Sequence, residues 1–306
     1  MFASGVWLAI GGTFLFALKS IFIKLAYAAG TNAETLLALR MLLAAPFYGA
    51  MLCWLKRETS HENSREHSAN PPLSLPLLLR LLGLAFLGYY LASILDLWGL
   101  ELISAQLERL TLFTYPTLIA LLSWLLGRER LTLKVITALL LSYIGIGCMS
   151  WGEQLHSSSQ DLLPGVLLVL GAALSFACYV VLARPLLLLF GSRRFTALVM
   201  LGSTLFVLLH FAISQPLSSL LVSRELLGYA LLLAFVSTVL PSFMVNAAIA
   251  RIGATRATIL GSAGPVFTFG LAVWWLQEPT SLNHLIGTLL VIAGVTLVSY
   301  TPKGKS

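Results

Sequence analysis

The chain has 306 residues, of which 58% are hydrophobic and 10% charged, with a formal net charge of +7. Soluble domains carry about 45–50% apolar and about 25% charged residues, so this composition excludes a soluble globular protein. The positive excess does not indicate nucleic acid, because the basic residues sit in short loops between apolar runs rather than on one face.

Runs of 18 or more nearly uncharged residues recur along the chain, each enough to cross a hydrocarbon core about 30 Å thick. The alternating segments of about ten residues that a β-barrel needs are absent. The expected fold class is therefore an all-α polytopic membrane protein. Ten transmembrane helices are expected, over 4–26, 33–54, 77–98, 104–126, 132–151, 163–184, 195–213, 226–248, 254–276 and 282–301. The N-terminal stretch lacks a basic region and a cleavage site and reads as a retained first helix. The segment 56–76 is polar and mixed in charge and reads as a mobile cytoplasmic loop. Its His61 and His67 lack the spaced partners of a metal site. Cys53, Cys148 and Cys178 lie inside apolar spans and read as small core residues.

The chain repeats itself. Pro116, Glu129 and Gly145 recur 149 residues later as Pro265, Glu278 and Gly294. At an offset of 160, Gly5, Gly11, Phe16 and Ala17 recur as Gly165, Gly171, Phe176 and Ala177. The longer loop 56–76 in the first half accounts for the shrinking offset. Two units are expected, 1–151 and 152–306, each of five helices. Because five is odd, the second enters the membrane from the opposite side, which makes an inverted repeat.

Lysine and arginine placement gives the orientation. With the N-terminus cytoplasmic, 14 of the 19 basic residues fall in inner loops and the tail. Both termini are then expected to be cytoplasmic, in a cell inner membrane.

Several stretches resemble the EamA-type transporters of the drug/metabolite transporter superfamily. They are Gly99-Leu100-Glu101-Leu102-Ile103-Ser104-Ala105 and Ala250-Arg251-Ile252-Gly253-Ala254-Thr255, followed by Tyr115-Pro116 with Glu129-Arg130-Leu131-Thr132 and by Gly264-Pro265 with Glu278-Pro279-Thr280. Leu39-Arg40-Met41 looks like the family's membrane arginine. Where members often carry Trp-Gly in the first helix, this chain has Leu18-Lys19-Ser20. The resemblance implies a ten-helix bundle with a central cavity lined by the first four helices of each half. The usual cargo is small metabolites, amino acids or drug-like compounds.

A charge in a bilayer costs about 2.5–3.5 kcal/mol even on the lenient insertion scale, so each ionisable residue in a span needs a reason. Lys19 lies roughly 20 Å into the first span at 1.5 Å per residue. It is a candidate cavity cation for an anionic substrate group, or the partner of a carboxylate. Lys24 lies nearer the surface and suits snorkelling. Arg40 offers a planar fork for a carboxylate or phosphate, or pairs with Glu34, Asp96 or Glu101. Asp96, Glu108, Arg109, Tyr115 and Asn246 complete the candidate substrate site. For Asp96 the alternative is an interfacial place beside Trp98, and for Glu108 a place at a helix N-terminus. A desolvated carboxylate at Glu108 could also exchange a proton. Pro116 and Pro265 each remove a backbone N–H and free the carbonyl four residues earlier, which makes them candidate hinges or packing kinks. Glu129 and Glu278 are assigned to helix ends.

No nucleotide-binding, metalloprotease, hydrolase or dithiol motif is present. The expectation is no enzyme and no cofactor. It is instead a secondary transporter, working as an exporter by alternating access on a small polar or amphipathic metabolite, with amino acids the leading class. The alternatives are a lipophilic cation or drug exporter and a non-transporting membrane scaffold. Expected partners are a small-molecule substrate, a coupling proton and the lipid bilayer, with oligomeric state open.

Overall fold

The computed structural model describes residues 2–62, 74–127, 132–156, 160–252, 260–261 and 263–299. Every regular element among them is helical. The first half contains α1 (Phe2–Ala28), α2 (Ala33–Glu62), α3 (Leu75–Ala85), α4 (Ala92–Leu102), α5 (Ala105–Leu112), α6 (Tyr115–Leu125) and α7 (Leu133–His156). The second contains α8 (Leu162–Phe190), α9 (Ser192–Ser214), α10 (Arg224–Leu231), α11 (Leu240–Ile252), α12 (Gly264–Trp275) and α13 (Leu282–Ser299). A π-helical stretch, Phe86–Leu91, joins α3 to α4, and another, Leu232–Val239, joins α10 to α11.

Six continuous helical runs are long and apolar enough to cross a membrane: Ser4–Ala28, Ala33–Leu55, Leu75–Leu102, Leu133–Gln154, Leu162–Phe190 and Ser192–Ser214. Large apolar side chains such as Trp7, Leu140, Leu188 and Ile213 face outward, while Ala17, Ala26, Ala38 and Ala44 are fully buried. That distribution suits a bundle whose solvent is hydrocarbon. Lipid is as apolar as leucine, so helices associate through small residues that let backbones approach.

Four close approaches come in matched pairs. A Cβ added at Gly165 would meet Ile103 Cγ2 at 2.5 Å, and one at Gly5 would meet Ile252 Cγ2 at 2.6 Å. Between α7 and α13, a Cβ at Gly145 would meet the Gly287 carbonyl at 2.7 Å, and one at Gly294 would meet the Ala138 carbonyl at 2.7 Å. Each pair converts into the other under the two sequence offsets.

The structure departs from the expected spans in four places. The second helix runs on to Glu62, into the polar segment expected to be a loop, and 63–73 lies outside the described residues. The eighth helix passes through Pro185 to Phe190, because Leu186 and Phe190 pack into a cluster with Leu81, Ala85 and Phe195 that holds the last turns in place. Only Gly191, at φ +71°, separates it from α9. Lastly, the expected span 104–126 is two helices, with a turn at Phe113–Thr114.

Candidate functional site

A cavity of about 340 Å³ opens between the helices, with Lys19, Arg40, Asp96, Arg109 and Tyr115 in its wall. A second hollow of about 240 Å³ adjoins it and shares Phe16, Arg109, Leu112 and Tyr115. It extends toward Ala9, Val245 and Gly261.

The chemistry concentrates where α1, α4 and α5 meet. Lys19 Nζ donates to Asp96 Oδ2 at 2.5 Å, with the aspartate 2% exposed. Next to it on α1, Ser20 Oγ donates to Glu108 Oε2 at 2.5 Å, and both residues are fully buried. Consecutive residues on a helix point about 100° apart, so one turn of α1 serves both acids. The charges of Asp96 and Glu108 also act on each other.

Arg40 is buried on α2 and donates through Nη2 to Ser93 Oγ at 3.1 Å. Ser93 and Asp96 lie three residues apart on one face of α4, which brings Arg40 and Lys19 to the same wall. Of the ion-pair partners weighed for Arg40, Glu34 instead accepts from Trp98 Nε1 at 2.8 Å and Glu101 from the Ala33 N–H at 2.9 Å. The buried Asp96 sits with Lys19 inside the bundle. Arg109 borders both hollows beside Gly264. Tyr115 packs edge-on to Phe176 at 5.3 Å. Asn246 belongs to α11, but its side chain lies outside the described residues.

Pro116 and Pro265 sit in the first turns of α6 and α12, where a missing N–H leaves no intrahelical bond undone. Pro116 thus opens a new helix after the turn at Phe113–Thr114, rather than bending an unbroken one as the sequence suggests.

Sequence reasoning missed the π-helical stretches. They bring Gly88 and Tyr89 from one side, and Ser237 and Thr238 from the other, to the cavity wall. Such insertions are rare and frequent at functional sites. Nothing in the residue types marks them beforehand. Ser93 had a legible signal, since it shares a helical face with Asp96.

A second polar layer closes the end of the bundle where α4 turns into α5. Ser104 Oγ accepts the Leu107 N–H at 3.0 Å and donates to Glu153. Glu278 accepts the Ala105 and Gln106 N–H groups at 2.7 and 3.2 Å. Burial pushes the Glu278 carboxyl above its usual range, against these two bonds and the charge of Lys24, which favour the carboxylate. Lys24 is half-buried, within the field of Glu278, Glu153, Glu108 and Glu101. Glu129, the counterpart of Glu278 in the first half, lies outside the described residues.

The EamA-like transporter family matches the chain twice, over residues 3–151 and 163–300. The Bacillus subtilis protein called uncharacterized transporter YcbK is 27% identical over 302 residues, covering 97% of this chain and 93% of that protein. A WAT1-related protein of Arabidopsis thaliana is 29% identical over 260 residues, covering 76% of this chain and 70% of its own length. A solved crystal structure superposes with a TM-score of 0.62 at 18% identity, covering 97% of this chain and 96% of that one, a likeness of fold.

Proposed function

The chain belongs to the EamA-like transporter family, and from that premise we propose that this multi-pass membrane transporter exports a small amphoteric metabolite, with amino acids the leading class. The observation that carries the reading is a polar wall in a hydrocarbon-facing bundle. Lys19, Arg40 and Arg109 line one cavity together with Asp96. Three cations and one carboxylate suit a solute bearing both an acid and an amine. Burying that many charges for stability alone is a poor bargain, because desolvation offsets most of the Coulomb gain.

The mechanism proposed is alternating access between two inverted five-helix halves, 1–151 and 152–306, ten spans in all. The paired contacts Gly5–Ile252 with Gly165–Ile103, and Gly145–Gly287 with Gly294–Ala138, support it. In this reading the broken α5–α6 helix and Pro265 are the bending points, both termini are cytoplasmic, and the protein sits in a cell inner membrane. A proton gradient drives the uphill step.

A panel of amino acids and related metabolites, scored by thermal stabilisation of the detergent-purified protein, tests the reading, since a ligand of the folded state raises apparent stability. The expected result is a zwitterionic stabiliser whose effect weakens about tenfold in Arg40→Lys, because a lysine cannot offer the bidentate fork. Stabilisation by lipophilic cations alone, or vesicle transport that ignores the amino acids, would overturn it.

A further inference from the structure

Asp96 and Glu108 come from different helices and are 2% and 0% exposed. One oxygen of each is accounted for, Asp96 Oδ2 by Lys19 and Glu108 Oε2 by Ser20. The other two, Asp96 Oδ1 and Glu108 Oε1, are buried and have no donor among the described residues. Their partners Lys19 and Ser20 are consecutive on α1, so the two carboxyl groups meet at one turn of that helix. Ionised carboxylates are acceptors only, so two that face each other in a buried site cannot satisfy one another. A single proton between them removes the repulsion and gives each free oxygen a partner, as in other close carboxyl pairs that share one proton.

We propose that Asp96 and Glu108 form a proton-binding site in which one proton bridges Asp96 Oδ1 and Glu108 Oε1. The site lies at the edge of the substrate cavity, and as a coupling site it rests on the transport reading above. Charged groups face the pair from three helices: Lys19 and Lys24 on α1, Arg40 on α2 and Arg109 on α5. These cations oppose the uptake of a proton, whereas burial and the facing carboxyl favour it. Lys19 engages Asp96 Oδ2 and Arg40 Nη2 donates to Ser93, so neither cation bonds Asp96 Oδ1 or Glu108 Oε1.

Asp96 lines the cavity, where the deprotonated pair, with two negative charges, attracts the amine of an amphoteric solute. With the proton bound, the pair carries one negative charge instead of two and holds that amine less strongly. Proton and amine therefore compete for the pair, the exchange that export driven by an inward proton gradient requires, and linkage of this kind is reciprocal.

Infrared spectroscopy of the purified full chain, titrated with pH in H₂O and D₂O, tests the site without knowledge of the substrate. The wild type is expected to show a protonated-carboxyl C=O band near neutral pH that shifts in D₂O and titrates as one proton. Glu108→Gln and Asp96→Asn should each remove that component, because the new amide supplies the donor and leaves the remaining acid ionised. Identical carboxylic-acid intensity in the wild type and both variants overturns the proposal. If neither variant folds, the wild-type titration decides: the absence of a single-proton component at neutral pH overturns it equally. An intact band in a protein that moves no solute in vesicles would count against the transport reading and leave the proton site standing. A transporting protein without the band would overturn the proton site alone.

Discussion

Glu278 and Ala105 are 173 residues apart, and the glutamate carboxylate accepts the alanine N–H at 2.7 Å. The bond closes the start of α5 with a residue from beyond the end of α12. It exists because Gln277 takes a left-handed φ of +55° and the Glu278 N–H returns to the Ala272 carbonyl, a turn that redirects the chain after α12. A side chain in that region costs about 1–3 kcal/mol unless its surroundings hold it there. Here the cap itself is one of the things that hold it.

Removing that cap should cost stability. Glu278→Ala leaves the Ala105 and Gln106 N–H groups without their acceptor, a loss of about 2 kcal/mol, measurable as a lower melting temperature in detergent. Glu278→Gln retains an acceptor oxygen and should lose less. The carboxyl is raised by burial, and a group whose folded pKa is raised favours the fold most below its unfolded pKa. Its contribution then falls as pH rises through the folded value. The wild type should therefore lose stability relative to Glu278→Gln as pH climbs above the ordinary glutamate range. A flat difference would show that the cap, not proton binding, sets the energy of this contact.

Lys19→Met should be severe in one background and mild in another. Alone it strands the buried Asp96 without its ammonium, and breaking such a pair costs about 3–5 kcal/mol. Adding Asp96→Asn removes the stranded charge and should restore most of the loss, as a double-mutant cycle in thermal melts would reveal. Transport should stay absent in the stable double variant. A double variant that still transports would show Lys19 to be structural only.

Two glycines of α7, two residues apart, should respond with opposite sign. Gly145→Ala drives a methyl into the Gly287 carbonyl at 2.7 Å, and overpacking of this kind costs about 1–3 kcal/mol. Gly147 has nothing within 4 Å of its added Cβ. Gly147→Ala should therefore stabilise by about 0.5–1 kcal/mol through helix propensity. Thermal melts of the two variants suffice.

Pro116→Ala returns an N–H to the start of α6. If the α5–α6 break is a working hinge, the variant should bind ligand normally in thermal-shift assays and exchange it across vesicles several-fold more slowly. Unchanged exchange would mark the proline as a packing feature.

Much of this architecture is legible in the order of residues alone. Membrane residence follows from apolar runs that no soluble core could hide, and the doubling of the chain from Pro116, Glu129 and Gly145 returning at one constant distance. The intramembrane charges stand out because hydrocarbon makes each of them costly. Pairing is different. Whether Lys19 meets Asp96, whether Glu108 faces a serine or an acid, and where Arg40 spends its fork depend on how α1, α2, α4 and α5 are rotated and staggered. Those rotations are set by close contacts between small residues across the whole bundle. The π-helical turns at Phe86–Leu91 and Leu232–Val239 and the left-handed Gln277 have no residue signature; Leu87 in the first accepts from distant Ser175, and the turn at Gln277 delivers Glu278 to a distant partner, Ala105. Only the folded bundle supplies that partner, so only the tertiary structure decides them.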